Sequence, residues 1–333
     1  MTPFATAISP LRVVMMGTGT FAEPTLAALL ARPDVVQVVG LFTQPDRDPG
    51  TRSGSTRQTG QGMKPLAQSV SVPVFQPESV NTPAGVAELA GLRPDLLVVA
   101  AYGQILNRAV LATAAHGAIN VHASLLPKYR GAAPVAWAIY HGEVLTGVTI
   151  IRISLGLDAG DMLAQASLAI HPDETAGELE SRLAPLGANL ALDVIARMHA
   201  GPITGLPQDK AGVTKAPKLT KEMGLIDWHQ PAEQILRHLR AMQPWPTPYT
   251  FWLRPGQPAV RLIVARAECV PGTTTEPPGH MWANADGWHV AAGHGTILRL
   301  LEIQPAGKKR MPGPAYLHGR PLKPGDKLGK EEG

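Results

Sequence analysis

The sequence predicts an α/β protein in which a mostly parallel sheet domain precedes a smaller, β-rich domain. Three observations predict it. Short apolar runs alternate with helical patterns through roughly the first 200 residues, the mark of successive βαβ units. The run Leu96-Leu-Val-Val-Ala-Ala101 is apolar at every position, as a parallel strand covered by helices on both faces requires. Beyond residue 242 the pattern changes to short β-rich segments between Pro/Gly turns, which suits a small barrel or sandwich.

A chain of 333 residues and 35.2 kDa has room for about two domains at roughly 150 residues each. Apolar residues at 44% and charged residues at 17% exclude a disordered or fibrous chain. Strands are expected at residues 13–16, 35–42, 96–101, 119–121 and 148–153, with 96–101 central. Helical periodicity covers 24–31, 83–90, 134–141 and 175–198, and Pro24 and Pro134 stand at first helical positions, where a missing N–H costs nothing. Between 43 and 64 the periodicity stops, leaving a polar loop long enough to be functional or disordered. A second break over 201–219 carries Pro202, Pro207, Pro217 and three lysines and reads as a linker. The expected domains are therefore 1–203 and 222–333, joined by 204–221. In the second, a helix at 231–242 precedes strands at 249–253, 260–267, 287–291 and 296–303.

The formal charge of +4 hides an asymmetry. Residues 1–205 hold 13 Lys+Arg against 15 Asp+Glu, or −2, and residues 206–333 hold 17 against 11, or +6. A basic second half permits an acidic partner such as a nucleic acid. Cys269 is the sole cysteine, which excludes an intrachain disulfide and a thiolate zinc cluster and suits a reducing, cytoplasmic setting. The first apolar run is too short for a signal peptide, and no run of 18 apolar residues offers a membrane span.

Gly17-Thr-Gly-Thr-Phe-Ala22 follows the first strand and opens a helix, so a Rossmann-like strand–turn–helix is expected there. Dinucleotide binding also wants an acidic residue at the end of the second strand, and Gly40-Leu-Phe-Thr43 has none. The turn therefore reads as packing or as part of another ligand site. Asn120 and His122 alternate with Ile119 and Val121, so both polar side chains project from one face of a strand end. In isolation such a pair is a hydrogen-bonded pair within the fold or a site. Ser124-Leu-Leu-Pro-Lys-Tyr-Arg-Gly-Ala-Ala-Pro134 follows at once, and Leu155-Gly-Leu-Asp-Ala-Gly-Asp161 sets Asp158 between glycines. His116, His141, His199, His238 and His289 are expected at helix ends or on the surface, and no metal-ligand spacing is present.

These segments together resemble the 10-formyltetrahydrofolate-dependent formyltransferases. The string Asn120-Val-His-Ala-Ser-Leu-Leu-Pro127, with Asp158 placed 36 residues after His122, is the specific part of the match. Further likeness runs through Thr43-Gln-Pro-Asp-Arg47, Lys218-Leu-Thr-Lys-Glu222, Ile226-Asp-Trp228, Arg240-Ala-Met-Gln-Pro-Trp-Pro246 and Gly319-Arg-Pro-Leu-Lys-Pro-Gly-Asp326. It covers almost the whole chain and is strongest with the branch whose acceptor is initiator methionyl-tRNA. The resemblance implies a Rossmann-like catalytic domain with a C-terminal OB-like barrel, and Asn120, His122 and Asp158 as catalytic residues. It implies a reduced-folate formyl donor held by Tyr102, Gly103, Ile105, Ser124, Leu125, Leu126, Pro127 and Gly156, with no metal. It further implies tRNA contacts from Arg47, Arg52, Arg57, Lys64, Lys215, Lys218, Lys308, Lys309 and Arg310, in a monomer.

In the implied reaction the nucleophile belongs to the acceptor. An α-amino group titrates at about 7.7–8.0, so no strong enzymic base is needed. The demand is on the tetrahedral oxyanion, toward which Asn120 and His122 are expected to donate while Asp158 holds the His122 ring or relays the amine proton. Other acceptors, such as an amino sugar nucleotide, and a non-catalytic tRNA-binding role are the competing expectations.

Overall fold

A computed structural model describes residues 9–46 and 62–331. The chain divides into two compact units, one of Met1–Val135, Val144–Ile170 and Glu178–Pro217, the other of Ala136–Glu143, His171–Gly177 and Lys218–Gly333. The second unit thus takes two short segments from inside the stretch of sequence spanned by the first. Residues 204–221, expected as a linker, belong to the first unit as far as Pro217.

The first unit is built on β1 (Leu11–Gly17), β2 (Val36–Phe42), β3 (Val74–Phe75), β4 (Leu96–Ala100), β5 (Ala118–His122), β7 (Leu145–Arg152) and β8 (Met162–Ala169). Their order across the sheet is β3-β2-β1-β4-β5-β7-β8. The pairs from β3 to β5 are parallel, whereas β5–β7 and β7–β8 are antiparallel. The apolar run at 96–101 is central as expected, and β4 is buried at all five positions. Strand order reverses between β1 and β4, so the carboxyl ends of the parallel strands open a crevice beside that point. Strand β8 was not legible as a strand. Its outer residues Gln165 and Ser167 alternate with partly covered ones at the sheet edge, which weakens the apolar signal.

Helices α1 (Glu23–Leu30), α2 (Met63–Ser69), α3 (Pro83–Gly91) and α4 (Arg108–Leu111) belong to this unit with nearly all of α6 (Ala176–Ala200), whereas α5 (Pro134–Tyr140) falls mainly in the second unit. Helix α6 buries Leu179, Leu183, Ala184, Ala188, Ala191, Val194 and Ile195, a single stripe at three- and four-residue spacing. Gly187 on that stripe has no room for a side chain, because a Cβ would lie 2.7 Å from Val121 of β5. A short pair, β6 (Arg130–Gly131) with β9 (Lys215–Ala216), runs parallel and fastens the 204–217 stretch to the loop after β5. Gly17 has no room for a side chain: a Cβ there would meet Ala22 at 2.7 Å and the Ala100 carbonyl at 2.9 Å. Close packing of strand against turn therefore accounts for the glycine at 17.

The second unit carries an antiparallel sheet of β10 (Tyr249–Leu253), β11 (Val260–Val270), β12 (Met281–Asn284), β13 (Gly287–Ala291), β14 (Ile297–Pro305) and β16 (Lys327–Gly329), in the order β12-β13-β14-β11-β10-β16. Strand β15 (Met311–Pro312) pairs with β14. A bridge between His280 and Lys327 brings the two ends of this order together, so the sheet curls on itself. Trp228, Trp252, Trp288, Leu262, Val264 and Leu300 form its core with Ile235 and Leu239 of α7 (Ala232–Ala241) and Tyr316 of α8 (Gly313–Gly319). The Arg254 guanidinium grips both carboxylate oxygens of Asp326 at 2.8 and 2.7 Å, a bidentate arrangement that fixes the chain before β16.

Two histidines expected at helix ends or on the surface are buried. His289 is 4% exposed inside β13, and His238, in the last turn of α7, is 8% exposed. His238 Nε2 donates to the Met223 carbonyl at 2.7 Å, and burial holds its pKa below the usual imidazole value. A histidine whose folded pKa is depressed lends stability that is present above the unfolded pKa of about 6.5 and is lost as pH falls below it. Urea unfolding of the wild type should therefore weaken from pH 7 to pH 5 more than that of His238→Gln, whose amide keeps the bond to Met223 without titrating.

Candidate active site

Strand β5 ends in Asn120-Val121-His122, with Asn120 opposite Val99 of β4 and Ile151 of β7, and His122 opposite Thr149. Asp158 arrives from the turn after β7, with φ at +47°. That left-handed value is uncommon outside glycine and persists where surrounding bonds hold it. Here several do. Asp158 Oδ1 accepts from Asn120 Nδ2 at 3.3 Å, and Oδ2 accepts from the Gly131 N–H at 2.9 Å. His122 Nδ1 stands 3.6 Å from Asp158 Oδ2, beyond hydrogen-bond length. The expected trio is therefore gathered around one carboxylate.

His122 is 4% exposed, and its Nε2 meets the Tyr129 carbonyl at 2.9 Å. A carbonyl only accepts, so Nε2 carries the proton and Nδ1 faces Asp158. This departs from the expectation that His122 donates to the reacting oxygen, since Nε2 is already committed to the loop. The loop itself is braced from within. Thr149 Oγ1 donates to the Ser124 carbonyl at 2.6 Å and accepts from the Leu126 N–H at 3.0 Å, and Gln165 Nε2 donates to the Leu126 carbonyl at 2.7 Å. Tyr129 N–H donates to Thr214 Oγ1 at 2.8 Å.

The residues expected to hold folate divide into two groups. Ser124 is fully buried and its hydroxyl donates to the Lys128 carbonyl at 2.7 Å; Leu126 is 3% exposed. Tyr102 is 1% exposed in the core under β4, where burial pushes its hydroxyl up to about 12. These three brace the fold, and their side chains are not presented to a ligand. Gly103, Ile105 and Gly156 are exposed, and Leu125 and Pro127 are half-buried, so the surface available to a ligand comes from them. Among the expected RNA contacts, Arg47, Arg52 and Arg57 lie outside the described residues. Lys64 is engaged by Asp46 and by Gln76 Oε1. Lys215 and Lys218 are exposed, as are Lys308, Lys309 and Arg310 on the loop after β14.

Sequence reasoning missed Gln208, Thr149, Gln165 and Thr214, whose only signal was polarity. Gln208 is the most connected of them. Its Nε2 donates to the carbonyls of Asp158 and Gly160 at 2.7 and 2.8 Å, and its Oε1 accepts from Arg130 Nε and Nη2 at 3.0 and 2.7 Å. Among the described residues, no group of three or more His, Cys, Asp or Glu is placed to hold a metal ion. Nor is any described helix long and apolar enough to cross a membrane.

The profile described as Formyl transferase matches residues 11–195, and the one described as Formyl transferase, C-terminal domain, matches 218–321. The chain belongs to the formyl transferase family. The chain is 44% identical over 320 residues to a methionyl-tRNA formyltransferase of Magnetococcus marinus, covering 96% of this chain and 98% of that one. It is likewise 44% identical over 324 residues to the methionyl-tRNA formyltransferase of a Roseiflexus species, covering 96% of each. Among solved structures, the N-formyltransferase of Helicobacter canadensis, in complex with folinic acid and dTDP-3-aminofucose, superposes with a TM-score of 0.62 at 16% identity, over 86% of this chain and 98% of that one. HypX of Aquifex aeolicus in complex with tetrahydrofolic acid gives 0.62 at 16% identity, over 97% of this chain and 51% of that one. At such identities the likeness establishes the formyl transferase fold.

The Asp158 turn closes on Gly160, which has no space for a side chain: a Cβ would lie 1.7 Å from the Arg152 carbonyl oxygen. Gly160→Ala must push the turn away from β7 and carry Asp158 with it. Formyl transfer by this variant is expected to fall by about a hundredfold, since a shift of about 1 Å at a reacting group costs that much. The comparison to make is kcat against KM for the folate donor, with kcat carrying the loss.

Proposed function

We infer that the chain transfers the formyl group of 10-formyltetrahydrofolate to the α-amino group of initiator methionyl-tRNA. The observation that carries this reading is the 44% identity, over 96% of the chain, to methionyl-tRNA formyltransferases, taken with the Asn120–His122–Asp158 cluster. The acceptor amine attacks the formyl carbon, and a tetrahedral oxyanion forms. Asn120 has two amide hydrogens; with one on Asp158, the other is free to donate to the oxyanion, a contribution of about 2.7–4 kcal/mol for one such donor. The proton lost by the amine passes to the His122 Nδ1–Asp158 Oδ2 pair, with the Tyr129 carbonyl holding the ring in place. As the bond from the formyl carbon to N10 of the folate breaks, the same proton is returned to N10. One N–C bond forms, one breaks, and no net proton is consumed.

In this reading Ile105, Gly103, Leu125, Pro127 and Gly156 offer surface to the folate. Arg47, Arg52, Arg57, Lys64, Lys215, Lys218 and the Lys308–Arg310 cluster supply phosphate contacts, and the curled second sheet serves as an OB-like RNA platform. The protein acts as a cytoplasmic monomer, with the first unit for transfer and the second as the main platform for RNA. The test is formylation of charged initiator tRNA in competition with an amino sugar nucleotide. Preferential modification of the tRNA, with affinity that falls steeply with salt, supports the reading. Modification of the sugar alone overturns the acceptor, and tRNA binding with no reduced-folate binding overturns the enzyme.

A further inference from the structure

We propose that Gln208 is a positioning residue that locks the Asp158 turn and Arg130 into one unit, and so sets the carboxylate against Asn120 and His122. The inference rests on the activity proposed above. Gln208 lies between the two family matches, which end at 195 and resume at 218, in the stretch the sequence presents as a linker. Its side-chain amide has two N–H donors and two acceptor lone pairs, and all four are used: Nε2 on the Asp158 and Gly160 carbonyls, Oε1 on Arg130 Nε and Nη2.

The bonds form a closed ring. Asp158 is held by its carbonyl to Gln208, Gln208 is held to Arg130, and the next residue, Gly131, donates its N–H at 2.9 Å to the Asp158 carboxylate. Moving the turn that carries the carboxylate away from Asn120 and His122 therefore breaks bonds at both the backbone and the side chain of Asp158. The positive φ of Asp158 gives the ring something to resist, because the turn would otherwise relax toward a commoner conformation. The chemistry selects an amide. A carboxylate at 208 would still attract Arg130 but would set an acceptor against two carbonyl oxygens, and alanine would supply neither half. Nothing in this geometry brings Gln208 to the reacting atoms, so its action passes through Asp158.

The test uses the full-length protein with Gln208→Ala, Gln208→Glu and Asp158→Asn, alone and combined. Each Gln208 variant is expected to lower kcat by about a hundredfold and to leave KM for 10-formyltetrahydrofolate unchanged. Added to Asp158→Asn, Gln208→Ala should cost little more, since the two act as one unit. Hydrogen exchange supplies a readout that needs no substrate. The Gly131 amide should exchange about tenfold faster in both variants, while those of Arg130 and Ala132, bonded to the Thr214 and Ala216 carbonyls at 2.9 and 2.8 Å, stay protected. Should Gln208→Ala unfold the first unit, Gln208→Glu, which keeps an ionic tie to Arg130, carries the measurement. Unchanged Gly131 exchange overturns the proposal, as does a kcat loss that adds in full to that of Asp158→Asn. A wild type that never formylates methionyl-tRNA overturns the acceptor assignment instead and leaves the exchange result to decide the clamp.

Discussion

Asp158→Asn is expected to reduce the formylation rate by about 10²–10⁴-fold with little change in folding. The substitution preserves volume and removes charge. Asp158 accepts from Asn120 with one oxygen and from Gly131 with the other. An asparagine has one accepting oxygen, so whichever donor faces the new NH2 group loses its partner. The carboxylate opposite His122 Nδ1 disappears as well, and with it the place proposed above for uptake of the amine proton. A single-turnover assay with saturating folate isolates the chemical step. A rate within tenfold of wild type would show that Asp158 positions the loop without taking part in proton movement.

The second large effect is on stability. Trp252 is fully buried, with its ring 5.3 Å from that of Trp288 and 5.9 Å from that of Tyr316. Arg254 and Arg320 lie over its ring at 5.4 and 5.1 Å from the centroid. Trp252→Ala is expected to cost the second unit about 3–5 kcal/mol, the range for removing a fully buried large aromatic side chain. Urea unfolding followed by tryptophan fluorescence would show the loss as a lower midpoint, and Trp252→Phe should recover a good part of it by keeping a ring beneath the two guanidinium groups. An unchanged midpoint for Trp252→Ala would mean that this sheet is stabilised elsewhere than in its aromatic centre.

The contrast between what was legible and what was not follows from range. The centre of the first sheet could be read because residues 96–101 are apolar on both faces of a strand, a local pattern. Asn120 and His122 could be read because strand alternation places them together, and Asp158 because its flanking glycines mark a tight turn. Gln208 could not be read. Its importance comes from bonds to residues 48 to 78 positions away, and a stretch rich in Pro and Lys looks the same whether it spans a gap or is sewn into a sheet. Ser124, Leu126 and Tyr102 show the complementary limit. A motif identifies a loop, but only burial tells which of its side chains brace the loop and which remain for a ligand. His289 escaped for a related reason, as did the burial of His238 at the helix end where it was expected, since a histidine's burial depends on neighbours brought in by the tertiary fold.

The division of the second unit into three stretches of chain, Ala136–Glu143, His171–Gly177 and Lys218–Gly333, bears on how the protein is made. During synthesis the first two stretches leave the ribosome long before the third, so the second unit cannot close until the chain is nearly complete. The seven-stranded sheet of the first unit, by contrast, has all its strands once residue 169 has emerged. A fragment starting at residue 222 would lack the Ala136–Glu143 and His171–Gly177 pieces of the same unit, so the cut that the sequence suggests does not follow that unit's own boundary.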